Sequence, residues 1–155
     1  MLTGRKSLAK TSGTPGKTRL INHYLINNEW YLVDLPGLGY AKSFRAETSQ
    51  WEKMIAIYLT GRKNLFHTFL VVDIRHHPQA IDIELIGALS MAGISFSLVF
   101  TKTDKLSRTA LLKNISVYEK EIRLQWNLSP LYFIISATKK LGKNEILDFI
   151  SSKMP

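Results

Sequence analysis

The chain has 155 residues, 45% of them apolar, enough to bury a core in one domain without disulfides or metal. It has no cysteine, which excludes thiolate chemistry, disulfide frameworks and cysteine-based zinc sites, and which fits a reducing, cytoplasmic setting. Twenty-one Lys and Arg against twelve Asp and Glu leave a formal charge of +9, which suits a polyanionic partner such as nucleic acid or a nucleotide, or else a generally basic solvated surface.

In chain order, the first carboxylate is Glu29, so the opening stretch to Asn22 is basic and rich in hydroxyls. That composition suits an organelle transit peptide, or equally the end of a helix at Met1–Thr3 followed by a phosphate-facing loop. Thr18–Ile26 and Trp30–Asp34 read as strands, and Asn27-Asn28-Glu29 between them has the chemistry of a hairpin turn. After a Pro/Gly loop, Trp51, Met54, Ile55 and Tyr58 recur at helical spacing over Ser49–Leu59. A buried strand is expected at His67–Asp73, a helix at Ile81–Met91 and a second buried strand at Ser95–Phe100. Ser107 suits the cap of a long helix reaching Trp126, followed by a strand at Leu131–Ile135 and a helix at Lys143–Ser151. The alternation predicts an α/β domain over residues 1–155, with a mostly parallel sheet and one antiparallel hairpin. No apolar run approaches the roughly 20 residues a membrane-spanning helix needs.

Three short motifs fall at the C-terminal ends of expected strands, where open α/β sheets bind ligands. Asp34-Leu35-Pro36-Gly37 could place a carboxylate on Mg²⁺ through water and a bare backbone N–H near a γ-phosphate, or could simply be a Pro-Gly turn. In Thr101-Lys102-Thr103-Asp104, a carboxylate at Asp104 can accept from guanine N1–H and the N2 amino group together, whereas adenine would leave that charge unpaired. Lys102 would lay its aliphatic stem along the purine face while Lys105 stays solvated; the alternative is a charged loop closing a strand. Ile135-Ser136-Ala137 could offer the Ala137 N–H to guanine O6, with Ser136 bracing the loop. Upstream, the loop Thr11–Thr18 puts a hydroxyl just before a strand, where a GTPase switch needs a Mg²⁺ ligand that folds over the γ-phosphate, and Thr18 is favoured over Thr14; the alternative is an ordinary Gly/Pro loop with a β-branched strand start. His76 and His77 lack a carboxylate at ligand spacing and read as surface residues.

A phosphate-binding loop of the form G-x-x-x-x-G-K-[ST], on a first strand, should precede these motifs, and no string in the chain has that form in that context. The domain is therefore expected to be incomplete at its N-terminus. This polypeptide by itself is expected to bind GTP weakly and to expose strand edges that promote aggregation; micromolar binding by calorimetry would contradict that.

The runs GRKSLAKTSGTPGKTRLIN, VDLPGLGYA, VVDIRHHP, TKTDKLS and SATKKLG together resemble the EngB family of bacterial GTPases, in the TrmE–Era–EngA–EngB group. The resemblance covers almost the whole chain. It implies a P-loop NTPase-like, Ras-like fold lacking its first strand and P-loop, with GTP or GDP and Mg²⁺ as ligands, Gly16-Lys17-Thr18-Arg19-Leu20 as a switch segment, Asp34–Gly37 near the γ-phosphate, Thr18 and Asp34 at the metal, Thr101–Asp104 on guanine and Ile135-Ser136-Ala137 completing the base pocket. It further implies a cytoplasmic, monomeric protein acting in large ribosomal subunit assembly, needed for normal cell division and septation, and partnered with rRNA or the subunit precursor rather than with DNA or a membrane. Leu38 departs from the family's usual Tyr, and no glutamine follows Gly37 to position water, so intrinsic hydrolysis is expected to be slow. The rival reading is a non-catalytic RNA- or ribosome-binding remnant that has lost the nucleotide. Another ribosome-associated GTPase of the same superclass would differ mainly in partner.

Overall fold

The computed structural model describes residues 20–36 and 45–154, with side chains in 45–52 left undescribed. The chain divides into two compact units, Met1–Arg62 and Lys63–Pro155.

In the first unit, β1 (Asn22–Ile26) and β2 (Trp30–Asp34) form an antiparallel pair, with Asn22 opposite Asp34 and Ile26 opposite Trp30. Asn27 and Asn28 both take left-handed backbone angles, φ 52° and 60°, and the Glu29 N–H donates to the Ile26 carbonyl at 3.0 Å. Asparagine tolerates that conformation better than other residues bearing a Cβ, so the turn foreseen from its chemistry forms. The strand starts at Asn22, later than expected; the foreseen start at Thr18 lies outside the described residues, as does Met1–Thr3. Helix α1 (Arg45–Gly61) outruns the expected Ser49–Leu59 at both ends and buries Ile55 and Leu59.

The second unit carries a parallel sheet in the order β3 (Thr68–Asp73), β4 (Phe96–Thr101), β5 (Tyr132–Ile134). Its strands alternate with α2 (Ala80–Met91), α3 (Arg108–Trp126) and α4 (Lys143–Lys153). Because side chains alternate across a pleated strand, Leu70, Val72, Leu98, Phe100, Tyr132 and Ile134 share one face. That face packs against Ile83 and Ile86 of α2 and Ile115, Tyr118 and Ile122 of α3 to form the core. On the other face Phe69, Phe133 and His67 meet Phe149 of α4 edge-on.

Ser107 caps α3, its hydroxyl accepting from the Ala110 N–H at 3.2 Å, as its hydroxyl chemistry predicted. Trp126 at the other end donates its indole N–H to the Ile83 carbonyl at 2.9 Å and lies over Gly87 of α2. Among the described residues β3 pairs only with β4, and Val71 on it is 65% exposed. No helix among them is long and apolar enough to cross a membrane.

Candidate nucleotide-binding site

Parallel strands deliver their C-terminal ends to one rim of a sheet, and in the second unit those ends are fastened to one another. Asp73 pairs in register with Thr101, the Thr101 hydroxyl donates to the Val72 carbonyl at 2.9 Å, and the Ile135 N–H donates to the Phe100 carbonyl at 2.9 Å. The chain leaving β4 turns through Lys102, whose φ of 58° is left-handed, into a short 3₁₀ turn over Thr103–Lys105. Buried Thr103 anchors that turn by donating its hydroxyl to the Ile135 carbonyl at 2.9 Å. A loop leaving β4 is thereby clamped to the end of β5.

The clamp brings Asp104 against Ser136. The fully buried Ser136 hydroxyl donates to Asp104 Oδ1 at 2.6 Å, accepts from the Lys139 N–H at 3.1 Å and lies 3.0 Å from the Thr138 hydroxyl. Asp104 keeps only 8% of its side chain exposed, with Lys105 Nζ 3.8 Å from its Oδ2; the Lys105 side chain is mostly solvated. The Ser136 hydrogen bond, helped by Thr138, the backbone and Lys105, lowers the Asp104 pKa against the opposing effect of burial, so the carboxylate is ionised at neutral pH.

The loop carrying Ser136 and the exposed Ala137 is closed by two reciprocal backbone bonds to Leu141 at 3.1 Å and ends at Gly142. Gly142 has φ 74°, and a Cβ there would overlap the Ile134 carbonyl oxygen and stand 2.7 Å from Ile135 Cγ2. Only glycine fits both the angle and the gap.

Beside Asp104 lies a second charged group that sequence reasoning passed over. The Asp73 carboxylate at the end of β3 accepts from Arg75 Nε at 2.9 Å, Arg75 Nη2 at 2.7 Å and the Arg75 N–H at 3.2 Å. It also meets Lys102 Nζ at 2.8 Å, and His76 Nε2 lies 3.8 Å away. Arg75 above all, then Lys102, hold the Asp73 pKa well below the usual carboxylate value, although burial opposes them. The signal was present in the sequence as a strand-ending acid followed by arginine two residues later, but the basic partner from β4 could be seen only once the register was fixed.

The structure thus brings Thr101, Lys102, Thr103, Asp104, Ile135, Ser136 and Ala137 together at one sheet rim. Asp34 stands exposed at the end of β2 in the first unit, followed by half-buried Leu35 and buried Pro36, while Leu20 is exposed before β1. Gly16, Lys17, Thr18, Arg19 and Gly37 lie outside the described residues. An exposed carboxylate is a hard oxygen donor of the kind Mg²⁺ prefers, so Asp34 fits the expected ion. Among the described residues no cluster of three or more His, Asp or Glu side chains could hold a metal by itself.

Two hollows among the described residues lie elsewhere. One lies between Ser90–Phe96 and Leu128–Pro130, the other between Ile21 and the Met54–Arg62 stretch. Neither is lined by residues of the Asp104 rim.

A family model described as a 50S ribosome-binding GTPase matches residues 1–102. The chain is 51% identical over 150 residues to the probable GTP-binding protein EngB of Christiangramia forsetii, covering 97% of this chain and 76% of that protein. It is 50% identical over 152 residues to the protein of the same description from Bacteroides fragilis, covering 98% and 76%. The crystal structure of a probable GTP-binding protein engB superposes with a TM-score of 0.75 over 97% of this chain and 87% of its own; at 21% identity that likeness establishes the fold alone. With half its residues shared with such relatives over nearly its entire length, and an α/β fold to match, the chain belongs to the EngB family of GTP-binding proteins.

Proposed function

We propose that the rim at Asp104 is the guanine-recognition part of a GTPase switch that acts in large ribosomal subunit assembly. The observation that carries this reading is the Asp104 carboxylate, kept ionised and aimed by the 2.6 Å bond from Ser136. A carboxylate so fixed can accept two donors from the edge of guanine, and adenine offers no such pair. Lys102 supplies a wall for the base, and the exposed Ala137 carries a backbone N–H suited to O6. Thr18 and Asp34 are the proposed Mg²⁺ ligands, Asp34 through water, and Gly16–Leu20 together with Asp34–Gly37 are the proposed switch segments. Bound Mg²⁺ would neutralise charge on the β- and γ-phosphates. The protein's own part is to hold the base, order the two segments around the phosphates and present the ordered form to its partner.

The formal charge of +9 supports a partner rich in phosphate, and the ribosome-binding description of the matching family supports rRNA of the large-subunit precursor as that partner. On this reading the protein is a cytoplasmic monomer, and its loss impairs cell division and septation through a shortage of large subunits. Slow intrinsic GTP hydrolysis is the expected activity.

The test is nucleotide selectivity, measured by calorimetry on the protein produced from its own gene. The gene product should bind GDP and GTP and reject ADP, and Asp104→Asn should move preference from guanosine to xanthosine nucleotides. Unchanged guanosine preference in Asp104→Asn would overturn the assigned base site. A gene product that binds RNA or large subunits but no nucleotide would favour the non-catalytic remnant instead.

A further inference from the structure

We infer that Asp73 is a positioning residue for the nucleobase: locked by Arg75, it grips the Lys102 ammonium and so holds the lysine stem upright as the wall against which a purine face lies. This rests on the guanine reading of the Asp104 rim and adds to it a residue and a device.

The geometry has three parts. Arg75 reaches its own strand's end with a two-pronged contact, Nε to Oδ1 at 2.9 Å and Nη2 to Oδ2 at 2.7 Å, and its backbone N–H adds a third bond to Oδ1. Paired fork-and-carboxylate bonds fix orientation as well as distance, so the Asp73 carboxylate has one defined direction. Next, the β3–β4 register sets Asp73 opposite Thr101, which makes Lys102 the first residue past the rung, and its Nζ closes on Oδ2 at 2.8 Å.

Finally, Lys102 leaves the sheet with a left-handed backbone and a side chain that is 54% exposed. A four-carbon stem that exposed would sample many rotamers if its ammonium were loose, and ordering it on binding would weaken affinity. Tethering the ammonium in advance removes that cost. His76, at 3.8 Å from Asp73 Oδ2, and Asp104, within electrostatic reach of Arg75, are the other charged or titratable groups of this cluster. The guanidinium therefore grips the carboxylate that anchors the wall and also feels the charge of the carboxylate that reads the base.

A wall is indifferent to what lies on the base edge, and that separates this role from that of Asp104. Displacement titrations of GDP and IDP, whose base lacks the N2 amino group, are made on the gene product, on Asp73→Asn, on Lys102→Met and on the double variant, each checked by far-ultraviolet dichroism to be folded at the temperature of the titration. Asp73→Asn should weaken GDP and IDP equally, by about five- to tenfold, as expected for freeing one long side chain. The GDP-to-IDP ratio should stay as in the unaltered protein. In the Lys102→Met background, Asp73→Asn should change affinity by less than about twofold, because partners acting as a unit are not additive.

Equal losses from Asp73→Asn with and without the Lys102 ammonium, no loss at all, or an altered GDP-to-IDP ratio would each overturn the positioning role. If Asp73→Asn does not fold, Arg75→Gln frees the same carboxylate and should weaken both nucleotides in parallel; unchanged affinity there overturns the proposal. An unaltered protein that binds GDP no better than ADP would sink the guanine reading and this inference together, whereas guanine preference with an inert Asp73→Asn sinks this inference alone.

Discussion

Three aspartates of the second unit show how neighbours set a carboxylate's behaviour. Asp73 and Asp104 are pulled below the ordinary 3.8 by hydrogen bonds and cations, Arg75 leading for one and Ser136 for the other. Asp82 is pushed above it by burial, although it accepts from the Gln79 backbone and from the Tyr118 hydroxyl at 3.3 Å. The consequences for stability have opposite signs. A carboxyl group whose folded pKa is lowered contributes stability that is complete above the unfolded value and is lost as pH falls through the folded one. For Asp82 the folded state holds its proton more tightly than the unfolded state, so it favours folding in acid and that advantage fades as pH rises through its raised value. Carbon-detected NMR titration should therefore find Asp73 and Asp104 still ionised below pH 3.8 and Asp82 still protonated above it. Replacing Asp73 by asparagine should flatten the loss of stability below about pH 4, the ordinary carboxyl range.

At the scale of elements, α2 and α3 meet where Gly87 faces Trp126. A Gly→Ala change inside a helix ordinarily stabilises by cutting the freedom of the unfolded chain. Here the added Cβ would fall within the indole ring, and that ring is tethered through its N–H to Ile83, so overpacking decides the sign. Gly87→Ala should cost about 1–3 kcal/mol in denaturant unfolding, and an unchanged or higher midpoint would show that the ring has somewhere to go.

Elements of this kind were largely legible in the sequence. The parallel strands were bounded by apolar runs, Ser107 announced α3, and the paired asparagines announced the hairpin turn. Helix α1 was underestimated because Arg45 to Thr48 carry no apolar period; once a helix has formed, extension adds one bond per residue and does not require one. Among candidate site residues, the order and spacing of T-K-x-D and S-A led to the contact between Asp104 and Ser136. Asp73 escaped notice because its meaning depends on Lys102, a residue distant in sequence that the β3–β4 register places next to it.

At the scale of the molecule, a ligand that binds only the folded protein raises its stability by mass action, about 2.7 kcal/mol when present at about a hundred times its dissociation constant. GDP should accordingly raise the unfolding midpoint, ADP should not, and Asp104→Asn should abolish the response to GDP. The chain contains three tryptophans; Trp30 and Trp51 fall in the first unit and Trp126 in the second. The indole that closes α2 against α3 is thus also an optical label for the half of the chain bearing Asp104. In a protein with Trp30 and Trp51 changed to phenylalanine, its emission would follow melting of that half alone, while far-ultraviolet dichroism would follow both, and any gap between the two traces would measure how loosely the halves are coupled.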